Sequence, residues 1–219
     1  MKANRLQIKI CGITNLEDAK ACVELGADMI GLNFHPQSPR YIEPEIARQV
    51  VEMRPRSAYA VGIFVDTSAE EIRKIAKRAG IESVQLHGDF SPENCRELAR
   101  EFRVIRAFRT DARFQPENVG AFPECDVLLD AYHAELRGGT GVTCDWSAAR
   151  ATLPFARFLI LSGGLNAQNV AHAIAAVAPH AVDVCSGVER APGVKDYGAI
   201  RNFIAAVGRA ECSVSASSP

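Results

Sequence analysis

The stretch Gln7–Phe34, QIKICGITNLEDAKACVELGADMIGLNF, decides the fold. Gln7 to Ile13 is rich in β-branched residues and reads as a strand, Asn15 to Leu25 has helical periodicity, and Met29 to Phe34 is a second strand. Strand, helix and strand follow one another with only short connections, the signature of a parallel sheet. Outward from this unit the alternation continues. A helix spans about Pro44 to Met53, a strand Tyr59 to Val65, and a helix opens at Ser68, where Ser68-x-x-Glu71 reads as a capping box. Ser83 to His87 is the fourth strand, and Ser91-Pro92-Glu93 supplies the next helix with a cap, an N1 proline and an acid.

The second half repeats the pattern. Strands are expected at Val104 to Phe108, Asp126 to Ala131, Phe158 to Leu161 and Ala181 to Val184. A weak, proline-interrupted helix falls near Pro116 to Phe122, and others at about Asp145 to Ala151, Asn166 to Val177 and Tyr197 to Val207. Eight strand–helix units in one chain predict an α/β fold, a single-domain (β/α)8 TIM barrel over residues 1–208. A flavodoxin-like open sheet is the runner-up, but its five or six strands leave the remainder unexplained. Residues 209–219, rich in Ser and Ala, read as a disordered tail.

Composition excludes several classes of function. The 219 residues are 47% hydrophobic and 23% charged, close to the globular average. Twenty-five Lys and Arg against 26 Asp and Glu leave a formal net charge of -1, without the basic excess of a nucleic-acid binder. No apolar run approaches the roughly 20 residues of a membrane helix, and the polar start MKANRLQ does not read as a signal peptide. The seven cysteines are scattered, with no Cys-x-x-Cys pair, which argues against a zinc or redox motif and for a reducing cytoplasm. A near-neutral, patch-free composition makes a monomer the default expectation.

In a barrel of this kind chemistry gathers at the C-terminal strand ends. The polar residues there are Cys11, Asn33, His35, Arg40, Asp66, Gln85, His87, Arg106, Arg109 and Asp130. Glycine clusters follow the last three strands: Gly138-Gly139-Thr140-Gly141, Ser162-Gly163-Gly164 and Ser186-Gly187. Glycine admits close approach of backbone amides to an oxyanion, and loops seven and eight commonly hold phosphate in these barrels. One glycine pair is most simply a turn; three in successive loops favour a phosphate site.

Cys11 follows Lys9 by two, so both side chains face the barrel interior, where an ammonium can lower a thiol pKa. A buried, inert cysteine is its plain alternative, and that reading suits Cys22, Cys95 and Cys185. Asp130 ends the apolar run Val127-Leu128-Leu129, an expensive place for an acid without a function. Asp183 on strand eight is balanced between a role with substrate and an internal ion pair with Lys9. Arg40, in Ser38-Pro39-Arg40, is suited to gripping a carboxylate, or is a solvated loop residue. His133, His172 and His180 lack metal-ligand spacing, and no carboxylate pattern joins His35 and His87 into a metal site.

Taken in order, these motifs resemble the phosphoribosylanthranilate isomerase family. Those that carry the resemblance are Lys9-Ile10-Cys11-Gly12-Ile13, Gly31-Leu32-Asn33-Phe34 with Ser38-Pro39-Arg40, and Val84-Gln85-Leu86-His87-Gly88. Leu129-Asp130, Gly139-Thr140-Gly141, Asp145-Trp146, Leu161-Ser162-Gly163-Gly164-Leu165 and Asp183-Val184-Cys185-Ser186-Gly187-Val188-Glu189 complete the set, which covers roughly Ile8 to Val207. The resemblance implies an enzyme of tryptophan biosynthesis that acts on a small phosphosugar by an Amadori rearrangement, with neither metal nor organic cofactor. It implies Cys11 as general base and Asp130 as general acid. Arg40 would hold the anthranilate carboxylate, with Gln85 and Asp183 also binding substrate. Gly141, Gly163, Gly164, Ser186 and Gly187 would bind the phosphate. Cys185 stands where relatives often have Ser. The acid and base need opposite protonation near neutrality; an apolar strand end is expected to raise Asp130, and Lys9 with helix-end amides to lower Cys11. The rivals are another phosphosugar barrel isomerase and a phosphate-binding barrel that has lost catalysis.

Overall fold

β1 (Gln7–Ile10) is the seam of the molecule, pairing in parallel with β2 (Met29–Asn33) on one side and with β8 (Ala181–Val184) on the other. Between them β3 (Tyr59–Val65), β4 (Ser83–His87), β5 (Arg103–Arg109), β6 (Asp126–Asp130) and β7 (Leu159–Ser162) complete a closed barrel in chain order. This computed structural model describes residues 5–55, 57–111, 113–130 and 146–216, with side chains to residue 212.

The helices α1 (Leu16–Leu25), α2 (Pro44–Met53), α3 (Ala69–Ala79), α4 (Pro92–Leu98), α5 (Ser147–Thr152), α6 (Val170–Val177) and α7 (Tyr197–Ala216) alternate with the strands. After β5 a 3-10 helix, Pro116–Ala121, takes the place of the weak helix expected there. Local chemistry sets the helix starts. Asn15 Oδ1 accepts from Asp18 N at 2.8 Å and Ser68 Oγ from Glu71 N at 3.3 Å, each satisfying an orphan amide. The reciprocal capping box is at Ser91 and Asn94 rather than at Ser68.

Two features depart from the sequence expectations. After β8 the chain forms a small antiparallel hairpin of β9 (Glu189–Ala191) and β10 (Val194–Lys195) before entering α7. α7 itself runs to Ala216, so residues 209–216, expected to be tail, are helical. Ala210 is buried there, and Glu211 Oε1 accepts from Leu6 N at 2.5 Å, tying the extra turns to the start of β1.

Strand alternation sorts the side chains. One face of each strand packs on the helices through residues such as Ile8, Leu32, Val84 and Val182. The other fills the barrel with Met29, Val61, Ile105, Ala107, Leu128, Ile160 and Ala181. The same parity sends Lys9, Gln85, Asp130 and Asp183 inward.

Candidate active site

The β1–β8 seam carries the first cluster. Lys9 and Asp183 are register partners, and Lys9 Nζ lies 2.9 Å from Asp183 Oδ1 with the ammonium wholly buried. Asp183 Oδ2 accepts from Ser162 Oγ at 3.0 Å. The internal ion pair read as one of two alternatives in the sequence is therefore present. Burial alone would push the Lys9 ammonium down; Asp183 and the neighbouring thiols outweigh it and hold it above its ordinary range. One residue beyond each strand, Cys11 and Cys185 come together at the mouth. A hydrogen bond from the Cys185 thiol, opposed by burial and reinforced by Lys9, pulls the Cys11 thiol down to about 7. The same contact and burial push the Cys185 thiol up.

Arg40 reaches this cluster from the loop after β2. Its Cδ lies so close to Gly12 that a Cβ there would sit 2.6 Å away, and Gly12 also has a φ of +77°, so only glycine fits. Glu189 holds the guanidinium from both carboxylate oxygens, and its Oε1 also accepts from Lys195 Nζ at 2.9 Å. Lys195 Nζ in turn donates to Cys11 O at 2.6 Å and Cys185 O at 3.5 Å. Burial works to raise the Glu189 carboxyl, but the hydrogen bonds from Arg40 and Lys195 leave it below its usual range. Neither Glu189 as an anchor nor Lys195 emerged from the sequence. Glu189 ends a motif that carries the family resemblance, whereas Lys195 had no local signal, since its partners lie on other strands.

Across the mouth, Asp130 ends β6, three strands round the barrel from β1, with Arg109 of β5 and Ser162 of β7 as register partners. Gln85 is buried on β4, its Nε2 2.7 Å from His87 Nε2, while its Oε1 has no hydrogen-bond partner among the described residues. Burial, then Lys9, push the His87 imidazole down to about 4, so the ring is neutral at pH 7 and accepts the Gln85 amide hydrogen. Two residues named with these in the sequence do not join them. Arg106 has the opposite parity to Ile105 and Ala107. Its guanidinium donates to the carbonyls of Leu86, Ala107 and Gly88 and lies over Phe108 and Phe122, in the helix layer. The Asp66 carboxylate accepts from Asp89 N at 3.1 Å and serves the turn after β3.

The loops after β7 and β8 form a third cluster. Gly163 and Gly164 have φ of +99° and +63°, and Ser186 begins a short 3-10 turn, Ser186–Val188. A Cβ at Gly187 would lie 2.0 Å from Leu165 O, so the two loops touch backbone to backbone, a contact open only to glycine. Gly141 lies outside the described residues, so only two of the three glycine loops are seen together. Among the described residues no group of three His, Cys, Asp or Glu side chains converges as a metal site, and no helix is long and apolar enough to cross a membrane.

A closed (β/α)8 barrel with thiol, carboxyl, arginine and contacting glycine loops at its C-terminal mouth has the architecture of a barrel enzyme. The sequence profile of N-(5'phosphoribosyl)anthranilate (PRA) isomerase matches residues 8–206. The chain is 46% identical over 202 residues to the N-(5'-phosphoribosyl)anthranilate isomerase of Geobacter sp. (strain M21), covering 91% of this chain and 96% of that one. The crystal structure of phosphoribosyl anthranilate isomerase from Thermotoga maritima superposes with a TM-score of 0.86 at 44% identity, covering 93% of this chain and 99% of that one. A phosphoribosyl anthranilate isomerase solved with reduced 1-(o-carboxyphenylamino)-1-deoxyribulose 5-phosphate gives 0.84 at 42% identity, with 93% and 99% covered. The chain belongs to the N-(5'-phosphoribosyl)anthranilate isomerase family. It is an enzyme, an isomerase of tryptophan biosynthesis.

Proposed function

We propose that the chain converts N-(5-phosphoribosyl)anthranilate into 1-(2-carboxyphenylamino)-1-deoxyribulose 5-phosphate by an Amadori rearrangement, with Cys11 as base and Asp130 as acid. Asp130 donates a proton to the furanose ring oxygen, and the ring opens to a protonated imine. The Cys11 thiolate then removes the C2 proton. The electron pair moves toward the imine nitrogen, giving an enolamine that becomes the ketone when C1 gains a proton and the C2 hydroxyl loses one. Each acid–base step is worth about 10² to 10⁴-fold. The imine is the electron sink within the substrate itself.

The observation that carries this reading is the placement of Cys11 just past the buried Lys9–Asp183 pair on β1, at the mouth where Asp130 ends β6 three strands away; the direction of the thiol's shift, downward to about 7, agrees with it. A base is most effective when its pKa lies near the working pH. The ligand of the solved relative carries a carboxylate and a phosphate at opposite ends. On this reading Arg40 takes the carboxylate, and Gly163, Gly164, Ser186 and Gly187 present amides to the phosphate, with Gly141 assigned to the same end. Asp183 and Gln85 bind the sugar hydroxyls, for which Gln85 Oε1, without a partner among the described residues, is a buried acceptor. Loss of the substrate's anthranilate-type fluorescence on adding the purified chain tests the activity. A chain that binds the substrate without turning it over is a binding barrel, and the proposal fails.

A further inference from the structure

We infer that Lys195, a buried ammonium with no part in the proposed acid–base steps, is a positioning residue that sets specificity for the substrate's carboxylate, acting through Glu189 on Arg40. The inference rests on the reading of Arg40 as the holder of that carboxylate and deepens it by naming what keeps Arg40 available. Arg40 by itself does not present an unopposed positive charge. Its Nε and Nη2 are both engaged by Glu189, whose side chain is 3% exposed against 24% for Arg40. A guanidinium–carboxylate pair is neutral as a unit. A second carboxylate drawn to Arg40 is therefore also repelled by Glu189.

Lys195 offsets that repulsion. Its Nζ lies 2.9 Å from Glu189 Oε1 with the side chain wholly buried, so Glu189 is shared between two cations. Two cations around one anion leave a net positive charge, and Arg40, the partly exposed partner, is where an anion can meet it. Against the upward push of burial, the hydrogen bonds from Arg40 and Lys195 keep Glu189 ionised at neutral pH. The other partners of Lys195 Nζ among the described residues are neutral carbonyls, Cys11 O at 2.6 Å and Cys185 O at 3.5 Å. Three elements hold the lysine in place. Lys195 N donates to Asp18 Oδ2 of α1 at 3.4 Å, and Tyr197 Oη of α7 donates to Asp18 Oδ1 at 2.9 Å. A Cβ at Gly193, in the hairpin turn, would lie 2.9 Å from Pro39 O, so the turn abuts the loop that carries Arg40.

The test compares Lys195→Met, which removes the charge and keeps the aliphatic stem, with Lys195→Gln, which removes the charge and keeps a donor. Two inhibitors are used: reduced 1-(o-carboxyphenylamino)-1-deoxyribulose 5-phosphate, and the same compound with a carboxamide in place of the carboxylate. The wild type should prefer the carboxylate compound by about tenfold to a hundredfold, and Arg40→Ala should abolish the preference. In both Lys195 variants the preference should fall by about tenfold, while the inhibition constant of the carboxamide stays within about twofold of wild type. A lysine that only braced the barrel mouth would weaken both compounds alike, and that result overturns the inference. Lys195→Gln covers the case in which the methionine variant folds poorly. An undiminished preference in a folded Lys195 variant, together with its loss in Arg40→Ala, overturns the inference and leaves the reading of Arg40 standing. No preference in the wild type, or a preference that survives Arg40→Ala, overturns the reading of Arg40 and the inference with it.

Discussion

Arg40 and Glu189 form a forked pair across 149 positions of sequence: Arg40 Nε lies 3.0 and 3.1 Å from the two carboxylate oxygens, and Nη2 lies 2.7 Å from Oε2. A guanidinium held from one edge keeps its direction and leaves its other edge for a second carboxylate, the role proposed for Arg40. On the proposed assignment Arg40 would meet a carboxylate that is present before and after the rearrangement, which makes the contact uniform binding. Arg40→Ala should therefore raise KM by about tenfold to a hundredfold with a much smaller change in kcat. Glu189→Gln should raise KM in the same direction by loosening Arg40. Steady-state kinetics with KM unchanged in Arg40→Ala would remove Arg40 from the site.

Asp130→Asn preserves the shape of the side chain and takes away the transferable proton. Turnover should fall by about 10²-fold or more while the substrate still binds. Titrating the inactive variant with substrate and following fluorescence separates binding from turnover. Wild-type turnover in Asp130→Asn would sink its assignment as the acid.

The Lys9–Asp183 pair is predicted to be a stability determinant as well as part of the site. Asp183→Asn leaves a wholly buried ammonium without its counter-charge, which costs about 3–5 kcal/mol. The pair holds Lys9 above its ordinary value, so its contribution is complete below about pH 10 and is lost only as pH rises through the folded-state value. Urea unfolding at neutral pH should show the full loss. A midpoint equal to that of the wild type would mean that the pair adds nothing to stability.

How much of this was legible in the sequence depended on the range of the interaction. The strands were readable because β-branched runs alternate with helical periods; parity placed Lys9 and Cys11 on one face, and closure of strand eight beside strand one offered the Lys9–Asp183 pair as one of two readings of Asp183. Parity also separates Arg106 from the site, but β5 carries arginines on both faces, Arg106 on one and Arg103 and Arg109 on the other, so no single polar side sets the phase. Glu189 and Lys195 act through partners on other strands, and the hairpin that presents them has strands of only three and two residues, too short for a periodic signal. The end of α7 was missed for a related reason: small residues such as Ala210 read as tail until the barrel wall they pack against is known.

Gly164→Asp should weaken the phosphate end of the site through bulk and like charge, while Gly187→Ala should first destabilise the barrel, because its Cβ would meet Leu165 O. Inorganic phosphate should inhibit the wild type and lose its effect in Gly164→Asp. Undiminished phosphate inhibition in that variant would contradict the placement of the phosphate on the loop after β7.

The six cysteines whose structure is described offer the sharpest contrast, because alkylating reagents attack thiolate and need access to it. Cys11 is half-buried at the mouth, with its thiol brought down to about 7 by Cys185, against burial and with help from Lys9. Cys22 is buried on α1 and its thiol is pushed up to about 12 by that burial. Cys95 and Cys125 are each 1% exposed and closed to reagent. Cys185 keeps its proton, and Cys212 is exposed on α7, remote from the mouth, where alkylation leaves activity intact. Modification of Cys11 alone should therefore track inactivation, with a rate that falls about tenfold for each pH unit below about 7. A product analogue with both carboxylate and phosphate should protect it. Cys11→Ser should be folded and nearly inactive, since a hydroxyl remains protonated where the thiol ionises. Peptide mapping of partly inactivated enzyme decides the point: activity lost with Cys11 unmodified, or normal turnover in Cys11→Ser, would place the base elsewhere.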